Sequence, residues 1–144
     1  MKYFEDISFN EVQRSGPYEL VESEIINFAK EWDPLPFHTD LEAANNSVFG
    51  GLAASNCHTV CIACKLLHET EPPAVLAALA HEYQYPNPAR LGDRLSLETS
   101  SVSKRESKSK SDRGIVEGET LLKNQDGIVV LVMKSTIMVS KKPT

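Results

Sequence analysis

Hydrophobic positions change their period several times along the chain. Residues 3 to 9 read as a short strand, and the pair Gly16-Pro17 signals a turn before an extended piece from Tyr18 to Val21. Ile25, Ile26, Phe28, Ala29 and Trp32 then recur at helical spacing, with Ser23 placed to cap that helix through its hydroxyl. Pro34 and Pro36 end it, because each pushes its preceding residue, Asp33 and Leu35, out of the α region. Asp40 is placed to cap a second, short helix through Leu41, Glu42, Ala43 and Ala44. From Gly51 to Leu67, apolar residues and three cysteines cover most of a helical cylinder, which predicts a helix in the interior. Beyond it, segments near 77 to 85, 93 to 103, 114 to 123 and 128 to 139 are strand-like, rich in Val, Ile, Leu, Tyr and Thr. Turn signals join them, PNPARLGD at 86 to 93 and NQDG at 124 to 127. These elements predict an α+β class, with an antiparallel sheet wrapped around a long central helix.

Composition narrows the picture. The 144 residues suit one domain over 1–144, large enough to bury a core without disulfide or metal. At 41% hydrophobic and 24% charged residues, a wholly disordered chain is excluded. A net charge of −5 sets the overall field against nucleic acid. Residues 43 to 64 lack Asp, Glu, Lys and Arg, but Asn45, Asn46, Asn56 and His58 argue against a membrane span there. The start MKYFEDISFN is unlike a signal peptide, and the expectation is a cytoplasmic protein.

Cys57, Cys61 and Cys64 form a C-x3-C-x2-C pattern that imitates an iron–sulfur motif. On a helix, these cysteines and His68 are strung over about 16 Å, whereas zinc bonds are about 2.0–2.3 Å long, so one ion cannot reach all four. An i,i+4 disulfide is equally poor, because helical Cβ atoms there stand about 5–6 Å apart and a bridge needs about 3.8 Å. The expectation is three buried small hydrophobes and no metal.

Candidate chemistry gathers in Trp32-Asp33-Pro34-Leu35-Pro36-Phe37-His38-Thr39-Asp40, followed by Phe49-Gly50-Gly51-Leu52. Two prolines stiffen the link between Asp33 and His38, so a carboxylate and an imidazole can be held toward one water as an acid/base pair. Gly50 and Gly51, read as opening the central helix, would let a substrate approach free backbone amides that hold a developing oxyanion.

These residues together resemble the MaoC-like dehydratases, kin to (R)-specific enoyl-CoA hydratases. Those proteins carry a helix ending in D-x-N-P-x-H, a short acidic-and-alanine helix, and a glycine at the start of the central helix. Asp33, Pro36 and His38 match in register, as do Asp40, Ala43, Ala44 and the F-G-G at 49 to 51. PNPARLGDRL at 86 to 95 is similar to the family's P-V-x-x-G-D-x-L turn. The resemblance implies the hot-dog fold, a homodimer with the thioester tunnel at its interface, and no cofactor beyond the thioester substrate. It implies Asp33 and His38 as the catalytic pair, and the backbone amide of Gly51 or Gly50 as the oxyanion hole. The implied reaction is reversible hydration of a trans-2-enoyl thioester, on coenzyme A or an acyl carrier. The family's Asn is Leu35 here and its Gly before the Asp is Trp32.

Around this pair, Trp32, Phe37 and Phe49 are candidates to line an acyl pocket, and His58 to contact substrate or stay within its helix. Arg90, and Lys104 and Arg105 from the basic stretch, are candidates for coenzyme phosphates, although lysines also guard exposed strand edges. The alternative reading is a non-catalytic thioester-binding partner subunit. A hot-dog thioesterase fits less well, since no Asp or Glu lies between Gly50 and His68.

Overall fold

A computed structural model describes residues 1–9 and 11–144. One five-stranded antiparallel sheet organises it, built from β1 (Gln13–Glu19), β2 (Val75–Gln84), β3 (Arg94–Glu106), β4 (Arg113–Lys123) and β5 (Val129–Ser140) in the order β1-β3-β4-β5-β2. The four C-terminal strands lie within three residues of the expected bounds, and the NQDG turn closes the β4–β5 hairpin, the Asn124 amide donating to the Ile128 carbonyl at 2.9 Å. Among the described residues no helix is long and apolar enough to cross a membrane.

Before the sheet is complete, the chain forms α1 (Glu22–Trp32), one-turn α2 (Pro36–Thr39), short α3 (Leu41–Asn45) and α4 (Asn56–Leu67). Asp40 caps α3 as expected, its carboxylate accepting from the Ala43 amide at 2.8 Å. Ser23 does not cap α1. Val21 occupies that position and makes no side-chain cap bond.

Three expectations about elements are corrected. Residues 3 to 9 are not a strand: Phe4–Asp6 form a 3-10 turn, closed where the Asp6 carboxylate accepts from the Tyr3 amide. The first strand is instead the polar stretch Gln13–Glu19, paired with β3 across an irregularity between Ser15 and Tyr18 that accommodates Gly16-Pro17. The third correction concerns α4, which starts at Asn56 under a Ser55 cap, not at Gly51. Residues 52 to 54 run extended beside 89 to 91: the Ala54 amide donates to the Ala89 carbonyl at 2.8 Å and the Leu91 amide to the Leu52 carbonyl at 3.2 Å. Leu-Ala-Ala has helical propensity, but a tertiary partner claims its backbone.

Helix α4 packs on the sheet chiefly through β1 and β3. Its Ile62, Ala63 and Leu66 join Leu20, Ile25, Leu95, Leu97, Leu122 and Leu131 in the main core. At about 25 cal/mol per Å² of apolar surface, each fully buried leucine there contributes about 2 kcal/mol. The three cysteines are not buried. Cys57, Cys61 and Cys64 fall on the opposite side of α4, and all three are exposed free thiols. The helix is interior on one face only. A second cluster of Phe4, Ile7, Ala74, Val116 and Val139 docks the 3-10 turn on the far end of the sheet.

Candidate active site

Asp33 occupies the C-cap of α1, its amide bonded to the Ala29 carbonyl at 2.9 Å. Pro34 prevents the helix from continuing, and Pro36 opens α2 at a position where its missing amide hydrogen costs nothing. His38 is the third residue of that single turn, so the chain reverses within five residues. The two side chains meet there: His38 Nε2 stands 3.6 Å from Asp33 Oδ2. That gap is too long for a direct hydrogen bond, and a solvent molecule beside it can contact both atoms.

The imidazole is held from behind. His38 Nδ1 lies 2.6 Å from the Ala53 carbonyl oxygen, which can only accept. Nδ1 therefore carries the proton, and in the neutral ring Nε2 presents a lone pair toward Asp33. Phe37 meets the ring edge-on with centroids 4.6 Å apart, and Phe49 stands 5.2 Å from Phe37. The His38 side chain is 8% exposed and that of Asp33 29%, so an incoming molecule reaches the pair from the carboxylate side.

Ser55 belongs to this site and was not a candidate. Its hydroxyl donates to Asp33 Oδ2 at 2.7 Å while accepting from the Cys57 amide at 3.2 Å. One buried side chain thus caps α4 and fixes the carboxylate. The signal was present, a serine ahead of a helical run, but it is legible only when α4 is placed five residues later.

Gly50 and Gly51 lie on the segment leading to Ala53. They do not open α4, so the helix start contributes no amides through them. Gly50 is left-handed at φ +61°, the conformation that favours glycine, and its amide already donates to the Ser47 carbonyl at 3.0 Å. The Gly51 amide has no partner among the described residues, which leaves Gly51 as the free donor of the two.

The other candidates divide. Trp32 is 67% exposed on the last turn of α1. Leu35 also faces out, so no side chain from that position replaces the missing Asn. His58 is buried one turn below Ser55, stacked on Phe28 with centroids 4.5 Å apart, and its Nδ1 has no partner among the described residues. Arg90 approaches the glycine turn, where its Nη1 donates to the Phe49 carbonyl.

Lys104 and Arg105 are not beside the pair. They lie about 33–36 Å along β3 from Arg94, at roughly 3.3 Å per residue. Lys104 is also occupied: its ammonium donates to the Phe4 carbonyl at 3.0 Å and the Ile7 carbonyl at 2.7 Å, tying the 3-10 turn to the sheet. A cavity of about 240 Å³ opens toward the C-terminal end of α4, lined among others by Leu67, His68, Val75, His81 and Ile137, and neither Asp33 nor His38 reaches it.

Comparison with known proteins bears on the family and the fold. The sequence model of the MaoC like domain matches residues 7–122. No curated protein sequence matches the chain significantly. Among solved structures, the MaoC-like dehydratase from Rhodospirillum rubrum is 37% identical, with a TM-score of 0.93 over 100% of both chains. A monoamine oxidase regulatory protein from Archaeoglobus fulgidus is 26% identical, with a TM-score of 0.88 over 99% of this chain and 96% of that one. An unliganded (R)-hydratase from Pseudomonas aeruginosa shares the fold at 18% identity, with a TM-score of 0.77 over 97% and 86% of the two chains. The shared architecture is the α+β hot-dog fold.

Proposed function

The chain belongs to the MaoC-like domain family, and from that membership together with the Asp33–His38 geometry we propose that it adds water reversibly to a trans-2-enoyl thioester. The observation that carries the reading is the 3.6 Å gap between His38 Nε2 and Asp33 Oδ2, with each partner fixed independently by Ala53 and Ser55.

In the hydration direction, one water bridges the two side chains from beside the gap. Asp33 orients it by accepting one of its hydrogens, and His38 Nε2 takes the other as the oxygen attacks C3. The C2–C3 π electrons move toward the carbonyl, and the thioester oxygen gains negative charge against the Gly51 amide. His38 then returns its proton to C2, giving a 3-hydroxyacyl thioester. Conjugation alone makes C3 electrophilic, so these steps need no added cofactor. The dehydration route is the reverse.

The partner we propose is a second copy. Strand β2 is an edge strand with every residue but Tyr83 exposed, including Val75, Leu76 and Leu79. An apolar edge of this length invites pairing with another strand.

Purified protein assayed with crotonyl-CoA and its acyl-carrier counterpart should form the 3-hydroxyacyl product. Asp33→Asn and His38→Ala should each lower kcat by about 10²–10⁴-fold, the range for a lost acid/base group. Binding of the thioester without turnover across a range of chain lengths would favour the partner-subunit reading instead.

A further inference from the structure

Arg90 stands outside the catalytic pair, yet its side chain reaches the peptide immediately before the one that carries the Gly51 amide. The Phe49 carbonyl and the Gly50 amide are two ends of the same peptide plane. Its N–H donates to the Ser47 carbonyl at 3.0 Å, and its C=O accepts from Arg90 Nη1. With that plane held at both ends and Gly50 at φ +61°, the peptide that carries the next N–H, that of Gly51, starts from a fixed base. A β-carbon on Gly51 would stand 3.8 Å from the same Nη1, so the guanidinium also lies beside this glycine.

Arg90 itself sits on a rigid support. Its amide donates to buried Asp93 Oδ2 at 2.8 Å, and the Asp93 amide returns a bond to the Arg90 carbonyl at 3.0 Å. Asp93 Oδ1 accepts from Gln125 Nε2 at 3.2 Å, which ties the turn to the β4–β5 hairpin. Ala89 and Leu91 pair with the strand that carries Ala53, the residue behind His38. Among the described residues no carboxylate pairs with the Arg90 guanidinium, so its charge is not neutralised locally.

We propose that Arg90 is a positioning residue for the oxyanion site: it pins the Phe49–Gly50 peptide so that the Gly51 N–H faces the thioester oxygen, and its charge favours the negative oxygen formed there. This rests on the hydratase reading. It differs from a phosphate contact to coenzyme A, because a pinned amide acts on the transition state whatever carries the acyl group.

The test compares the wild type with Arg90→Gln and Arg90→Lys on an enoyl-CoA and on the matching enoyl-pantetheine, which lacks the nucleotide phosphates. Arg90→Gln should lower kcat on the order of 10-fold on both substrates alike, with little change in KM, a part of the roughly 10²–10³-fold cost of losing an oxyanion donor outright. Arg90→Lys should recover part of the loss. A rise in KM confined to the coenzyme A substrate overturns the proposal in favour of a phosphate contact. A second measurement needs no turnover: amide ¹⁵N and ¹H resonances of Gly50 and Gly51 should move in Arg90→Gln and stay fixed in Arg94→Gln. Unmoved glycine resonances in Arg90→Gln overturn the pin. If the wild type hydrates no thioester, the hydratase reading falls by itself, and the resonances still decide whether Arg90 holds the turn.

Discussion

Ser55 and His58, one helical turn apart on α4, show what single residues contribute to this site. Ser55→Ala removes both the donor to Asp33 and the acceptor for the Cys57 amide. We expect about 1 kcal/mol of lost stability from the cap and a separate fall in kcat. Ser55→Thr, which keeps the hydroxyl, should restore most of both. Urea denaturation and steady-state kinetics read the two effects independently. His58 predicts a pH dependence. Burial pushes its pKa below the ordinary 6.5, with the Glu24 carboxylate pulling weakly the other way. Below about pH 6.5 the unfolded chain therefore binds a proton that the folded chain refuses, so stability falls as pH drops toward the folded-state value. His58→Leu should flatten the stability profile between pH 7 and 5.5, and an unchanged slope would assign the acid sensitivity elsewhere. Asp33 and His38 were legible in the sequence because two prolines confine them to one short bend. Ser55 was not, because its role depends on a helix boundary that only the 89 to 91 segment determines.

At the scale of elements, the strands with alternating Val, Ile and Leu were legible, since a half-buried strand writes its two faces into the sequence. Strand β1 was not, because Gln13–Glu19 is a polar edge strand held by backbone pairing to β3. The cysteine face of α4 was misjudged for a related reason: periodicity shows that a helix has apolar sides but not which side is covered. The 3-10 turn offers a test at this scale. Gly114 lies on β4 where a β-carbon would overlap the Phe4 ring, and Lys104 stands 5.1 Å above the centre of that ring. Gly114→Ala must displace Phe4, so it should destabilise the protein by about 1–3 kcal/mol, the range for overpacking. Because this contact sits at the far end of the sheet, kcat per folded molecule should stay unchanged. A loss of kcat without a loss of stability would contradict this separation of sheet ends.

For the whole molecule, the open edge is the decisive feature. Leu79 on β2 is 50% exposed in a strand with no outer neighbour. Leu79→Lys should shift the protein toward monomer at micromolar concentration in sedimentation experiments, because a charged edge discourages pairing. If the site is completed at the interface, kcat should fall in parallel with dissociation. A fully active monomer would place the whole site within one chain. The short pairing of 52 to 54 with 89 to 91 has its own consequence. The imidazole leans on a carbonyl whose position is set by a turn more than thirty residues further along the chain. A fragment stopping before that turn could still wind its helices, but nothing would hold the histidine in place, so recovery of catalysis on renaturation should lag the return of helical signal.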